Sequence, residues 1–154
     1  MRPQDAGAVE ALDEALSRRR SRARLEPFEL YLVASPDAPA VARAAVSAWV
    51  GAAISPAMLV DLLLLISELV TNSVLHGHTA DADAITVRAD ILDEVLRIEV
   101  GDGGTDGEVA RRAPDLARGG GFGLNLVARV SRRWGVDRDA GTRVWAEMAF
   151  SPAA

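Results

Sequence analysis

The sequence predicts an α+β fold: a two-layer α/β sandwich whose mixed, mostly antiparallel sheet carries its helices on one face. Three observations lead there. Two stretches, 85–100 and 134–150, each alternate apolar and polar residues on either side of a turn and read as β-hairpins. Two helical segments stand together before the first hairpin and a third separates the hairpins, so strict β–α alternation is absent. The chain has 154 residues, 49% hydrophobic and 25% charged, enough for one domain with a real core. Residues 26–151 read as that domain, with no internal repeat and no second boundary, and residues 1–25 as an N-terminal arm.

The arm is rich in alanine, arginine and acids. Val9, Leu12 and Leu16 are spaced like one weak helical face, followed by Arg18, Arg19, Arg20, Arg22 and Arg24. It reads as a solvated arm, helical or disordered, with partner binding as the alternative. Phe28 to Ala34 alternates and reads as a strand. Ser35 caps a helix with Pro36 just inside it; Val41, Ala42, Ala45, Val46 and Trp49 form the apolar face and Gly51 the stop. Ser55 and Pro56 open a second helix that Gly77 ends. In it Leu59, Leu62, Leu63, Ile66, Val70 and Val74 share a face, while Leu64, Leu65 and Leu75 make the opposite side apolar too. A helix apolar on two sides is expected to be largely covered. Asp61, Glu68 and Asn72 lie along that second side.

Ile85 to Ile91 and Leu96 to Val100 form the first hairpin around Asp93-Glu94, and the second strand runs into Gly101-Asp102-Gly103-Gly104. No periodicity follows until Gly119-Gly120-Gly121-Phe122-Gly123-Leu124 opens a third helix. A loop of that length in a compact domain is either functional or disordered. Trp134 to Asp137 and Arg143 to Phe150 form the last hairpin, turned at Asp139-Ala140-Gly141.

Composition excludes several chemistries. There is no cysteine, hence no disulfide, thiol catalysis or cysteine metal site. All 17 basic residues are arginine, so a phosphate loop ending in lysine, the lysine of the eukaryotic-type kinase fold and Schiff-base chemistry are all ruled out. His76 and His78, the two histidines, flank one glycine and make no zinc set. A net charge of −5 disfavours nucleic acid as a direct partner. The N-terminus lacks the apolar core of a signal peptide, and the Leu62–Ile66 run between Asp61 and Glu68 is too short to span a bilayer. A cytoplasmic protein with no membrane partner is expected.

Three features stand in series. Glu68 and Asn72 sit one turn apart on a helix; Asp102 ends a strand before two glycines; a glycine cluster opens a helix. Each alone is weak, and Glu68 with Asn72 could be a satisfied structural pair. Together they point to a nucleotide. Backbone N–H groups around Gly119, Gly120, Gly121 and Gly123 can approach phosphates, helped by a helix N-terminus. The Asp102 carboxylate can accept a hydrogen bond from the adenine amino group, with room for the ring at Gly104, and it repels the acceptor edge of guanine. The Asn72 amide oxygen suits Mg²⁺, and Glu68 can take a proton from an attacking hydroxyl or water.

In this order the motifs resemble the ATPase fold shared by gyrase, the Hsp90 chaperones, histidine kinases and MutL, the Bergerat ATP-binding fold. Glu68-Leu69-Val70-Thr71-Asn72-Ser73-Val74 with His76-Gly77, and Trp134-Gly135-Val136 with Gly141 to Glu147, are similar to the anti-sigma-factor serine/threonine kinases of bacterial stress and sporulation switches. The resemblance covers about residues 28 to 150. It implies Asn72 on Mg²⁺, Glu68 as base, Asp102 reading adenine and Gly104 backing the ring. It also implies Gly119, Gly120, Gly121, Gly123 and Leu124 around the triphosphate, under a mobile lid of residues 105–120. Thr142 would approach adenine through water, and His76 matches a histidine of the group whose role stays open. Phe122 stands where that group often has a polar or basic residue.

The expected function is therefore that of an Mg²⁺-ATP-binding anti-sigma factor. It would bind a sigma factor, phosphorylate a serine or threonine on an antagonist protein, and form a homodimer. The alternative is a non-catalytic ATP-binding module that controls partner binding. A histidine-kinase catalytic domain is disfavoured, because no phospho-accepting helical hairpin precedes residue 28.

Overall fold

A computed structural model describes residues 25–76, 84–102, 121–139 and 141–153, with the backbone alone at 76 and 121–124. The strands are β1 (Phe28–Val33), β2 (Ala84–Leu92), β3 (Val95–Asp102), β4 (Arg133–Asp137) and β5 (Arg143–Ala149). The helices are α1 (Ala38–Val50), α2 (Pro56–His76) and α3 (Gly121–Val130). One sheet in the order β1-β2-β3-β5-β4 carries all three helices on one face, the expected α+β sandwich.

Among the described residues every strand pairing is antiparallel, where a mixed, mostly antiparallel sheet was expected. The physical reason lies in the connections. Two helices join β1 to β2, and a down-and-up helix pair returns the chain beside its start in the opposite sense. One helix joins β3 to β4, which therefore run the same way, but β5 is inserted between them.

The alternation read from the sequence sets the core. Ile85, Val87 and Ala89 of β2, Leu96, Ile98 and Val100 of β3, and Ala146 and Met148 of β5 all point to the helices and are buried. α1 meets them with Ala42, Val46 and Val50; α2 with Leu62, Leu65, Ile66, Leu69 and Val70; α3 with Val127. Burial of so much aliphatic surface is the main stabilising term.

Caps and turns place the helix ends. Ser55 caps α2 as expected: its Oγ accepts the Met58 N–H at 3.3 Å. α1 starts later than expected, with Asp37 rather than Ser35 at the cap and no side-chain cap hydrogen bond. Ser35 instead closes a turn, its carbonyl accepting the Ala38 N–H at 3.1 Å. Pro39 then falls in the first helical turn, where it costs no hydrogen bond. Gly51 ends α1 at φ 50°.

The second side of α2 is not covered as expected. Leu65 is buried, yet Leu64 and Leu75 are 44% and 60% exposed. By length and composition α2 could cross a membrane, more than the short Leu62–Ile66 run allowed. Its Leu62, Ile66, Leu69 and Val70 are instead packed into the domain core.

Candidate functional site

Chain direction decides what meets at each end of the sandwich. β3 ends at Asp102, and Asp102 is paired with Ile85 beside the start of β2. α2 begins at the other end, where the Ser55 N–H reaches the Ser151 carbonyl at 2.8 Å. It therefore runs towards Asp102, carrying Glu68 and Asn72 in its later turns. α3 leads from the β3 end back to Arg133, which pairs with Glu147 near the far end of β5. Its N-terminus thus faces the Asp102 end. The later turns of α2, with Glu68 and Asn72, therefore point towards the end of the sandwich that holds Asp102, Thr142 and the first turn of α3, with Gly121, Gly123 and Leu124.

Asp102 continues the series Leu96, Ile98, Val100, so it lies on the helix-facing side of the sheet. Its carboxylate is held from one side: Oδ1 accepts the Thr142 backbone N–H at 2.7 Å, and the Asp102 N–H donates to the Thr142 carbonyl at 3.0 Å. The other carboxylate oxygen has no partner among the described residues. This backbone contact of Thr142 with Asp102 is separate from the water-mediated approach to adenine that the resemblance implies. The signal for it was the turn glycine Gly141, at φ 88°, immediately before.

Glu68 and Asn72 are half-buried, and neither side chain has a hydrogen bond or ion pair among the described residues. At about 100° per residue they lie between exposed Leu64 and buried Leu65. They do not form the satisfied pair that helix geometry alone allowed. Two uncommitted polar groups one turn apart, on the border of an apolar core, are what a ligand floor requires. Gly104, Gly119, Gly120 and the lid at 105–120 lie outside the described residues, as does the His76 side chain.

The sheet's outer face was not singled out by the sequence. Arg97 bonds Glu99 and Glu147, each at 2.9 Å; Arg133 bonds Glu147 at 2.9 Å; Arg143 stands 3.6 Å from Glu99. Arg97 also lies over the Trp145 ring, 4.5 Å from its centroid. Arg133 holds the Glu147 carboxyl below the usual carboxylate range, and Arg97 adds to the effect. The alternation with core positions was the signal for this lattice. A hollow of about 280 Å³ on this side has Thr86, Arg88, Glu99, Gly101 and Arg143 in its wall, with Asp102 and Thr142. Its Arg88 and Glu99 are already ion-paired, and most of it faces away from the helices.

Residues 32–148 match the family model of the histidine kinase-like ATPase domain. The chain belongs to that family. The matched region runs from the last two residues of β1 to the next-to-last residue of β5 and so includes all three helices and most of the sheet. The histidine kinase-like ATPase domain is an ATP-binding unit, and membership implies a nucleotide site here. A chain in the crystal structure of the SiaB-SiaC complex from Pseudomonas aeruginosa has the same fold. It is 18% identical, the match covers 91% of this chain and 99% of that one, and the TM-score is 0.50. A search of curated protein sequences finds no match.

Proposed function

We propose that this histidine kinase-like ATPase domain is an Mg²⁺-ATP-binding anti-sigma factor. It binds a sigma factor and phosphorylates a serine or threonine of an antagonist protein, so that phosphorylation controls which partner is held. The observation that supports this reading is chain direction: α2 carries Glu68 and Asn72, without partners among the described residues, towards the end of the sandwich where Asp102 is tethered and α3 begins. The partners and the acceptor residue come from the motif resemblance. A neighbour solved as a complex of two named chains accords with a partner-binding role.

The residues present fit the groups they would receive. The free oxygen of Asp102 accepts the adenine amino group, while Thr142 keeps the carboxylate in place. The α3 N-terminus offers unpaired N–H groups and positive potential to phosphates. Among the described residues no three histidines, cysteines or carboxylates cluster to form a protein cage for a metal. One amide oxygen at Asn72 suits Mg²⁺, which keeps waters and shares phosphate oxygens. Bound Mg²⁺ would neutralise the charge spread over the phosphoryl oxygens. The acceptor hydroxyl oxygen forms the new bond to the γ-phosphorus, its proton passes to Glu68, and ADP leaves with the electrons of the broken bond.

The second reading keeps ATP binding without transfer. It is favoured by one observation: among the described residues nothing orients the Glu68 carboxylate. Incubation with Mg²⁺, γ-labelled ATP and purified candidate antagonists separates the two. Label on a serine or threonine supports the kinase. Nucleotide binding with no label on any antagonist selects the non-catalytic module. On either reading the protein is cytoplasmic and homodimeric, with no direct contact to nucleic acid or membrane.

A further inference from the structure

Asp102 lies on the helix-facing side of the sheet, but what holds it leads through the strand to the other side. β5 begins at Arg143, so Thr142 stands just outside the ladder, after a turn with Gly141 at φ 88°. The Thr142 N–H still reaches Asp102 Oδ1 at 2.7 Å, and its carbonyl accepts the Asp102 N–H at 3.0 Å. The next residue, Arg143, is opposite Gly101 in register and faces outward with Trp145 and Glu147. Its guanidinium reaches diagonally back along β3 to Glu99, Nη1 to Oε2 at 3.6 Å. We propose that the Glu99–Arg143 pair on the outer face is a positioning device for the inner one: it fixes the backbone at 142–143 and so aims the Asp102 carboxylate at the adenine amino group. The proposal rests on the nucleotide reading given above.

Three observations carry it. The first is closeness. A Cβ added to Gly101 would meet the Thr142 carbonyl at 3.7 Å and Arg143 Cβ at 3.9 Å, so this stretch lies directly against the end of β3. The second is what else could hold it. Gly101 offers no side chain, and the hollow of about 280 Å³ has Gly101 and Arg143 in its wall. Among the described residues Arg143 has Glu99 as its partner and no other, although Asp137 lies opposite it in β4. Beyond the ladder itself, this pair is therefore the side-chain hold on the start of β5. The third is that the far end of the pair is braced. Arg97 Nε donates to Glu99 Oε1 at 2.9 Å, which leaves Oε2 to Arg143. Neighbouring residues of a strand face opposite sides, so a backbone held outward at 143 presents its N–H inward at 142. A hydrogen bond to a carboxylate is short and sensitive to alignment, so a small shift at 142 turns the carboxylate away.

The test compares Arg143→Met, Arg143→Lys and Asp102→Asn with the wild-type full chain and needs no partner protein. The Arg143 side chain is 42% exposed, and its loss leaves Glu99 bonded to Arg97, so the fold is expected to be kept. Hydrogen exchange at the Thr142 amide reads the tether without nucleotide. It should be about fivefold faster in Arg143→Met and near the wild-type rate in Arg143→Lys. Calorimetry with ATP and with inosine triphosphate reads the aim of the carboxylate. Inosine has a carbonyl where adenine has its amino group, so a loosened Asp102 should weaken ATP about fivefold and leave inosine triphosphate no weaker. Unchanged exchange in Arg143→Met, or the same acceleration in Arg143→Lys, overturns the proposal. So does an equal loss of affinity for both nucleotides, which marks a general loosening. A preference for ATP that Asp102→Asn alters and Arg143→Met does not overturns it while the site reading stands. A preference that Asp102→Asn leaves unaltered removes the site reading, and the positioning role with it.

Discussion

Asp102 concentrates the chemistry of the site into two oxygens with different tasks. One accepts the Thr142 N–H at 2.7 Å; the other has no partner among the described residues, and on the proposed reading it takes the adenine amino group. Asp102→Asn separates those tasks. The amide oxygen can still accept from Thr142, while its NH₂ group confronts the amino group of adenine, donor against donor. A hydrogen bond to a charged group contributes about 1.5–3 kcal/mol. The expected loss of ATP affinity in titration calorimetry is therefore about 10- to 100-fold, with the melting temperature little changed; unaltered affinity would remove Asp102 from the site. Glu68 makes the opposite prediction. Having no partner among the described residues, it can be replaced by alanine without leaving any of them unsatisfied. Glu68→Ala should keep nucleotide affinity within about twofold and lower transfer to the antagonist by about 10²- to 10⁴-fold, the usual contribution of a positioned base. Single-turnover rates measure this, and equal rates in both proteins would end its role as base. Gly135 tests packing instead. A Cβ there would lie 2.7 Å from Cζ2 of Trp145, forcing the ring off its place beneath Arg97. Gly135→Ala should destabilise by about 1–2 kcal/mol in urea unfolding. In a Trp145→Ala background the same change should cost almost nothing; equal costs in both backgrounds would show that the ring is not the obstacle.

At the scale of elements, α2 shows what a sequence pattern can and cannot convey. Its start was legible because Ser55 and Pro56 signal a cap chemically, and the cap is present. Ser55→Ala should lower stability by about 0.5–2 kcal/mol, measured by denaturant unfolding; no change would mean that the backbone alone holds the turn. The strands of both hairpins were legible because a period of two fixes which residues face the helices. The α1 start was misplaced because Ser35 and Asp37 are both cap formers, and only the path of the turn before Ala38 decides between them. The antiparallel order was not legible either. Nothing local in β5 shows that it inserts between β3 and β4; that is settled by which strand edges remain after the first hairpin has paired. The candidate site falls between these cases. Glu68, Asn72 and Asp102 were named from residue type and spacing, since their chemistry is unusual beside so many leucines. The tether at Thr142 was marked only indirectly, by the turn glycine Gly141 before it, because a backbone N–H carries no residue type.

For the whole molecule, the two faces of the sheet hold different kinds of free energy. The inner face contributes apolar burial, which responds weakly to pH. The outer face carries the ion lattice, with Arg88 on Glu29 and with Arg97 and Arg133 on Glu147. Arg88 bonds the Glu29 carboxyl and holds it below its ordinary value, as Arg133 and then Arg97 do for Glu147. The folded state thus binds these two protons less readily than the unfolded chain. The stability they add is complete above the unfolded carboxylate range, near 4.3, and is lost as pH falls through the lower folded values. Denaturant midpoints should therefore be flat from about pH 7 to 5 and decline below about 4.5. The decline should be smaller in about 1 M salt, where charges this exposed are screened. Glu147→Gln removes the carboxylate shared by two arginines and should flatten part of the acid decline while lowering the neutral plateau. Midpoints measured across pH for wild type and Glu147→Gln decide the matter. Parallel curves would mean that the acid response arises elsewhere, and that the lattice orders the outer face without stabilising the fold.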